Sequence, residues 1–166
     1  MASIRPARAE DLPAVTAIYN DAVARTTGTF DTEPKTLAQM SDWFAHHGAM
    51  HPVLVAEKDG AAVAWASLSP WSERCAYART SEVSVYVAES ARRQGLAGAL
   101  LDELLRLARA NGTAQAMARI TADNEVSLRL HERRGFVTAG RLKRVGEKFG
   151  RVLDVHILQL SLEDAA

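Results

Sequence analysis

One segment constrains this chain more than any other, the amphipathic run over residues 96–110. Ala97, Leu100, Leu101, Leu104, Leu105 and Ala108 recur at i, i+3, i+4, i+7, i+8 and i+11, so six apolar side chains share one helical face. Asn111-Gly112 closes that helix. A face this apolar must be buried against another layer, and strands on either side supply one. Residues 82–87 read as a strand with Val83, Val85 and Val87 on one face and Glu82, Ser84 and Tyr86 on the other. Residues 115–121 read as a second strand.

The remaining elements follow from periodicity and turn chemistry. Residues 3–7 read as an opening strand. Asp11-Leu12-Pro13 starts a helix whose apolar face holds Leu12, Val15, Tyr19, Ala22 and Val23. A polar loop at 26–34, with Gly28 and an exposed Phe30, leads to a second helix over roughly 37–47. Residues 52–57 and 61–68 form a hairpin about Asp59-Gly60, a type I′ signal. Residues 70–80 are a loop with Trp71, Arg74, Tyr77 and Arg79. Asn124 caps a helix that Gly135 ends, and strands at 136–145 and 152–160 are joined by a basic turn at 146–151. The order β-α-α-β-β-β-α-β-α-β-β predicts a mixed α/β domain on one sheet, with residues 1–166 as a single domain.

Charge narrows the ligand. The 20 basic and 20 acidic residues cancel, which points away from nucleic acid and membrane surfaces. Their placement is uneven: residues 88–151 hold thirteen Lys and Arg against seven Asp and Glu. A basic middle in a neutral chain suits a small phosphorylated ligand. Cys75 is the lone cysteine, so no internal disulfide forms, and no apolar run approaches the ~20 residues that span a bilayer. With no signal-peptide pattern at the start, the expected location is cytoplasmic.

The strand at 82–87 runs through Arg92-Arg93-Gln94-Gly95-Leu96-Ala97-Gly98 into the long helix. The first N–H groups of a helix lack internal partners and carry partial positive charge, so they suit a pyrophosphate. Gly95, Ala97 and Gly98 permit close approach, and Arg92 and Arg93 add charge. The Gly-x-Gly-x-x-Gly spacing of a dinucleotide fold is absent, and a plain turn before an amphipathic helix has the same composition.

Arg92-x-x-Gly95-x-Ala97 resembles the acetyl-CoA motif of the GNAT acetyltransferase superfamily, and Asn124-x-x-Ser127-x-x-Leu130-His131-x-x-x-Gly135-Phe136 resembles its next segment. Within it, the chain is similar to the phosphinothricin and methionine sulfoximine/sulfone N-acetyltransferases. Ile18-Tyr19-Asn20-Asp21-Ala22-Val23, Thr29-Phe30-Asp31-Thr32-Glu33-Pro34, Ser84-Val85-Tyr86-Val87 and Lys148-Phe149-Gly150-Arg151 carry that likeness, which runs from residue 4 to about 160. The resemblance implies the GNAT fold: a central mixed, mostly antiparallel sheet of about seven strands flanked by four helices. It also implies acetyl-CoA as cosubstrate, no metal, a small-molecule amine as acceptor and a homodimer. The cofactor contacts would be Val85, Tyr86 and Val87 for the pantetheine arm, Arg92, Arg93, Gln94, Gly95, Leu96, Ala97 and Gly98 for the pyrophosphate, and Asn124 and Ser127 beyond. Asn124 serves equally as a plain helix cap.

An amine attacks a thioester only as the free base, so the site needs a proton acceptor. The resemblance places Glu82 in that role, in the Thr80-x-Glu82 position, with N–H groups of the same strand polarising the thioester carbonyl. A glutamate on the wet face of a strand is also ordinary. His131 stands where many relatives have a Tyr thought to protonate the departing thiolate; its alternative is a packed, hydrogen-bonded histidine. Phe30, Ser72, Arg74, Arg79, Glu82 and Ser84 are the candidate substrate contacts. Here the chain departs from its relatives, with Ser72 where several have Arg and Val83 and Val152 where others have different residues. His46, His47 and His51 lack a completing ligand set and read as a solvated helix end, and Cys75 as an inert side chain. The cluster Arg141, Lys143, Arg144, Lys148 and Arg151 reads as a solvated or dimer-facing surface. The rival functions are acetylation of a protein N-terminus or a polyamine, and a non-catalytic CoA-sensing module.

Overall fold

The apolar patterns close into a seven-stranded sheet of order β1-β2-β3-β4-β5-β7-β6 in a computed structural model that describes residues 1–164. Ala165 and Ala166, the end of the expected domain, lie outside the described residues. The elements are β1 (Ser3–Pro6), α1 (Leu12–Arg25), α2 (Leu37–Ala45), β2 (Val53–Lys58), β3 (Ala61–Pro70) and β4 (Thr80–Val87). They continue with α3 (Leu96–Ala110), β5 (Gln115–Thr121), α4 (Glu125–Glu132), β6 (Val137–Lys148) and β7 (Arg151–Ser161). Among the described residues only β4 and β5 pair in parallel; every other pairing is antiparallel, as expected.

Alternation along the central strands sorts the core onto two faces. Ala64, Ala66 and Leu68 of β3 pack with Leu100, Leu101, Leu104 and Leu105 of α3. Trp65 points the other way, to Val15 and Ile18 of α1 and Met40 of α2. Each of those α3 leucines is at most 4% exposed, and burial of such a side chain stabilises the fold by about 1.5–3 kcal/mol.

Two turns have both residues at positive φ, the type I′ geometry whose twist matches a hairpin. Asp59 and Gly60 (53° and 80°) make the expected one. Phe149 and Gly150 (54° and 68°) make the other, and it corrects the long basic turn expected at 146–151. A two-residue turn lets the ladder run on to the Lys148↔Arg151 pair, so both strands are longer than their apolar pattern indicates. Helix α2 in turn stops short of residue 47. His46 and His47 turn their Nδ1 atoms onto the carbonyls of Asp42 and Trp43, each at 2.7 Å, and satisfy the helix end.

The feature that prepares a site is the divergence of β4 from β5. They share three rungs, Thr80↔Gln115, Ser81↔Ala116 and Glu82↔Met117, and then separate. Beyond that point β4 stays with β3 as far as Val87↔Ala64, while β5 stays with β7 as far as Thr121↔Val155. Residue parity decides what faces the gap. Thr80 O accepts from Trp71 N–H and Ala88 N–H donates to Val63 O, so even-numbered residues of β4 bond toward β3. Arg79 O accepts from Ala114 N–H on the β5 side. The N–H and C=O groups of Val85 and Val87 therefore face the open wedge.

Candidate active site

The wedge leads from β4 into the start of α3. Gly95 sits at φ 77° as the helix N-cap, and no side chain caps the N-terminus, so the N–H groups of Leu96, Ala97 and Gly98 stay available. Arg93 also lies at positive φ (62°) and makes no side-chain hydrogen bond or ion pair among the described residues. The Arg92 guanidinium stands 3.9 Å from Asp21, and Gln94 accepts from Lys58 Nζ at 3.1 Å. A Cβ on Gly95 would meet nothing within 4 Å, whereas one on Gly98 would run into the Arg134 guanidinium, which is held by Asp102 at 2.7 Å. A glycine at positive φ, three free N–H groups, small side chains and two arginines meet the needs of a pyrophosphate. The unpaired edge at Val85 and Val87 meets those of an amide-bearing arm.

On the same face of the sheet as α3, α4 carries the second expected cofactor segment. Asn124 Oδ1 accepts from Ser127 N–H at 3.2 Å, the ordinary capping bond. His131 is 4% exposed, its Nδ1 is 2.7 Å from Ser127 O, and its ring meets Phe136 edge-on. Burial lowers its pKa. Because Nδ1 spends its proton on a carbonyl, Nε2 of the neutral ring can accept a proton but not give one.

Glu82 lies at the point where the strands part. Its two carboxylate oxygens take bonds from Arg119 Nε and Nη2 at 2.6 and 2.8 Å. That fork-to-fork pairing fixes the carboxylate plane and raises the pKa of Arg119, first through the hydrogen bonds and then through charge. Arg119 also stacks over the Trp71 ring at 4.9 Å. Each carboxylate oxygen keeps a second lone pair for another donor. Glu82, Arg119, Ser84, Tyr86 and Phe30 line one cavity of about 540 Å³.

The lid of that cavity is the loop between α1 and α2. Tyr19 OH bonds Asp31 and also pairs with Thr29 Oγ1 at 2.9 Å; burial together with the Asp31 contact pushes its pKa up to about 12. Phe30 is 40% exposed and packs against Gly146, where any side chain would collide with its ring. Lys148 Nζ donates to Thr29 O at 2.8 Å. Lys148 is only 4% exposed, which corrects the expectation that the whole basic cluster is solvated or dimer-facing. Its ammonium serves a loop carbonyl, and Arg141 and Arg151 pair with Asp154 and Asp123.

The other substrate candidates are scattered. Ser72 Oγ accepts from Arg74 N–H at 3.3 Å in an exposed loop. Arg79 turns to Gly112 O at 3.0 Å and to Glu163 at 2.7 Å, away from Glu82. Neither Ser72, Arg74 nor Arg79 lines the cavity that holds Glu82. Sequence reasoning missed Arg119, although the alternation of β5 offered a signal: Arg119 is the strand's one charge, a single same-face step past the partner of Glu82. The expected solvated helix end also needs correction, because His47 is half-buried, stacks on Trp43 at 4.3 Å and bonds Ser69 Oγ through Nε2 at 3.3 Å.

Comparison with known proteins bears on the same residues. The family model described as Acetyltransferase (GNAT) family matches residues 15–136. The L-methionine sulfoximine/L-methionine sulfone acetyltransferase of Pseudomonas aeruginosa is 42% identical over 166 residues, covering 98% of this chain and 95% of that protein. A phosphinothricin acetyltransferase from Sinorhizobium meliloti, solved in complex with AcCoA, superposes with a TM-score of 0.93 at 34% identity, covering 96% of this chain and 88% of that one. A ribosomal-protein-alanine N-acetyltransferase from Brucella melitensis superposes with a TM-score of 0.93 at 41% identity, covering 96% and 99%.

Proposed function

This chain belongs to the acetyltransferase (GNAT) family and uses acetyl-CoA, and from that premise we propose an acceptor, a base and an assembly. The acceptor is the α-amine of a small amino acid of the methionine sulfone, methionine sulfoximine or phosphinothricin type. The base is Glu82. The observation that carries the reading is the Glu82–Arg119 pair, which stands where the wedge opens and lines the cavity beneath the Phe30 loop.

In this reading the pantetheine arm lies along Val85 and Val87, with the pyrophosphate on the N–H groups after Gly95. The amine enters from the Phe30 side and gives a proton to Glu82, directly or through water. The free-base nitrogen then bonds to the acetyl carbon, the C–S bond breaks, and CoA leaves as the thiolate while the nitrogen gives up its second proton to water. Arg119 orients the carboxylate without touching the reacting atoms. His131 packs α4, and because its Nε2 lacks a proton in the neutral state, the thiolate takes its proton from water.

Arg74 and Arg79 leave the cavity without a free arginine, so neutral sulfone and sulfoximine heads should react better than the anionic phosphinate. The ribosomal-protein relative supports a second reading, acetylation of a protein N-terminus. CoA release measured with L-methionine sulfone, L-methionine sulfoximine, phosphinothricin, an alanyl peptide and a polyamine separates the two. A peptide that outperforms all three amino acids overturns the first reading.

Two apolar layers on one sheet support the single-domain reading for the described residues, 1–164. Leu142, Val145, Phe149 and Val152 are exposed apolar residues on the β6–β7 hairpin and support a homodimer through that edge. Sedimentation showing only monomer at micromolar concentration contradicts it. No helix among the described residues is long and apolar enough to cross a membrane, and we read the location as cytoplasmic.

A further inference from the structure

Among the described residues that line the Glu82 cavity, Arg119 is the one cation. The arginines expected from the sequence are elsewhere: Arg79 bonds Gly112 O and Glu163, and Arg74 does not line the cavity. Arg119 starts on β5, meets Glu82 of β4, and lays its guanidinium over the ring of Trp71, just past the end of β3. It therefore stands across the mouth of the cavity from three directions of the fold.

Only part of that guanidinium is in use. Arginine carries five N–H donors in a rigid fork, and Glu82 takes one edge of it, through Nε and Nη2. The other edge, Nη1 with the second N–H of Nη2, makes no hydrogen bond among the described residues. Glu82 covers one edge and Trp71 one face, yet the side chain is still 54% exposed. What stays open to the cavity is the opposite face and the Nη1 edge.

The acids around the cavity are committed to other partners. Asp31 lines it but bonds Tyr19 OH and stands 3.5 Å from Lys35 Nζ. Asp123 pairs with Arg151 at 3.0 Å and accepts from Thr27 Oγ1 at 2.9 Å. The free edge of Arg119 is thus left for a carboxylate that the ligand brings.

A free amino acid carries that carboxylate in the right place. Glu82 and Arg119 hold a negative and a positive group side by side in one plane, and an amino acid holds an ammonium and a carboxylate on one carbon. With the ammonium at Glu82, the carboxylate meets the adjoining guanidinium edge, where a fork makes two parallel hydrogen bonds. A polyamine or a peptide N-terminus offers the ammonium without the carboxylate and leaves that edge to water. Arg119 is then spent on two carboxylates and has no edge for an anionic side-chain head.

We propose that Arg119 receives the acceptor's α-carboxylate on its Nη1 edge and so selects free amino acids over other amines. The proposal rests on the amino-acid reading above and adds the residue that recognises the amino-acid backbone.

The test compares L-methionine sulfone with its primary carboxamide, which keeps the amine and the head but loses the negative charge. In Arg119→Gln the kcat/KM ratio of acid to carboxamide should fall at least tenfold from its wild-type value, through the KM of the acid. Comparing ratios between the two enzymes cancels the lower basicity of the carboxamide's amine. A misplaced Glu82 alone lowers kcat for both substrates by the same factor, so an unchanged ratio overturns the proposal. The wild type supplies a second measurement that needs no variant to fold. Methylsulfonylbutanoate, the same acid without its amine, should inhibit at least tenfold more strongly than its own carboxamide; equal inhibition overturns the site. If the wild type acetylates a peptide or polyamine but no free amino acid, the substrate reading fails instead. The same inhibitor pair, run against that amine, then decides Arg119: stronger inhibition by the acid upholds an anion site there, and equal inhibition removes it.

Discussion

The proposed cofactor side and the proposed acceptor side of this sheet are built by different means. The loop before α3 is made from one contiguous run, and the groups it offers a ligand are main-chain N–H groups displayed by Gly95 at φ 77°. The acceptor cavity gathers side chains from the α1–α2 loop, β4 and β5, with Lys148 of β6 holding the loop from a distance of 119 residues in sequence. Main-chain sites depend on backbone conformation and tolerate changes of side chain. Side-chain sites depend on each residue and on the partner that orients it. Mutations on the two sides should therefore fail in different ways.

The largest expected effect is on the acceptor side. Glu82→Gln preserves shape but removes the proton acceptor, so kcat should fall by ~10²-fold or more, the scale of a general base. Acetyl-CoA affinity, measured by calorimetry, should stay within about twofold of wild type. Equal losses of turnover and acetyl-CoA binding would erase the distinction between the sides.

On the cofactor side the change to make is Gly95→Val. A Cβ there meets no protein atom within 4 Å, so the fold has room for it. The backbone does not: a β-branched residue at φ 77° costs ~1–2 kcal/mol, and the side chain occupies the approach to the N–H groups. Acetyl-CoA should bind at least tenfold more weakly, about 1.4 kcal/mol, with circular dichroism unchanged. Normal affinity in the folded variant would move the pyrophosphate elsewhere.

The smallest effect concerns His131, which supports the cofactor side through α4. Its folded-state pKa is lowered by burial, so the folded protein disfavours its protonation relative to the unfolded chain. Its contribution is therefore complete above the unfolded value of ~6.5 and is lost as pH falls through that value toward the lower folded one. Melting temperature should drop over that acid window, and His131→Asn should flatten the drop while leaving kcat within a few fold. A large kcat loss with an unchanged pH–stability slope would return His131 to the chemistry.

The same contrast explains what the sequence revealed. The order of elements, the Val83/Val85/Val87 face of β4 and the loop from Arg92 to Gly98 are contiguous or strictly periodic, so local pattern suffices to find them. Arg119 and Lys148 reach the cavity of Glu82 and its loop through the register of strands far apart in sequence, which no local pattern encodes. Arg79 misled for the converse reason: three residues before Glu82 it looks adjacent, yet odd parity and the turn into β4 send it to Glu163. Lys148 sat in a basic run that reads as surface, and only the two-residue turn at Phe149-Gly150 draws it back under the Phe30 loop.

The central claim is that acetyl-CoA enters the wedge where β4 leaves β5, and amide hydrogen exchange reads that edge directly. The N–H groups of Val85 and Val87 face the gap and should exchange fast in the free protein, whereas those of Ser84 and Tyr86 are held by β3. Saturating acetyl-CoA should slow Val85 and Val87 by at least tenfold and leave Ser84 and Tyr86 nearly unchanged. Unaltered exchange at Val85 and Val87 with the ligand bound would contradict the account.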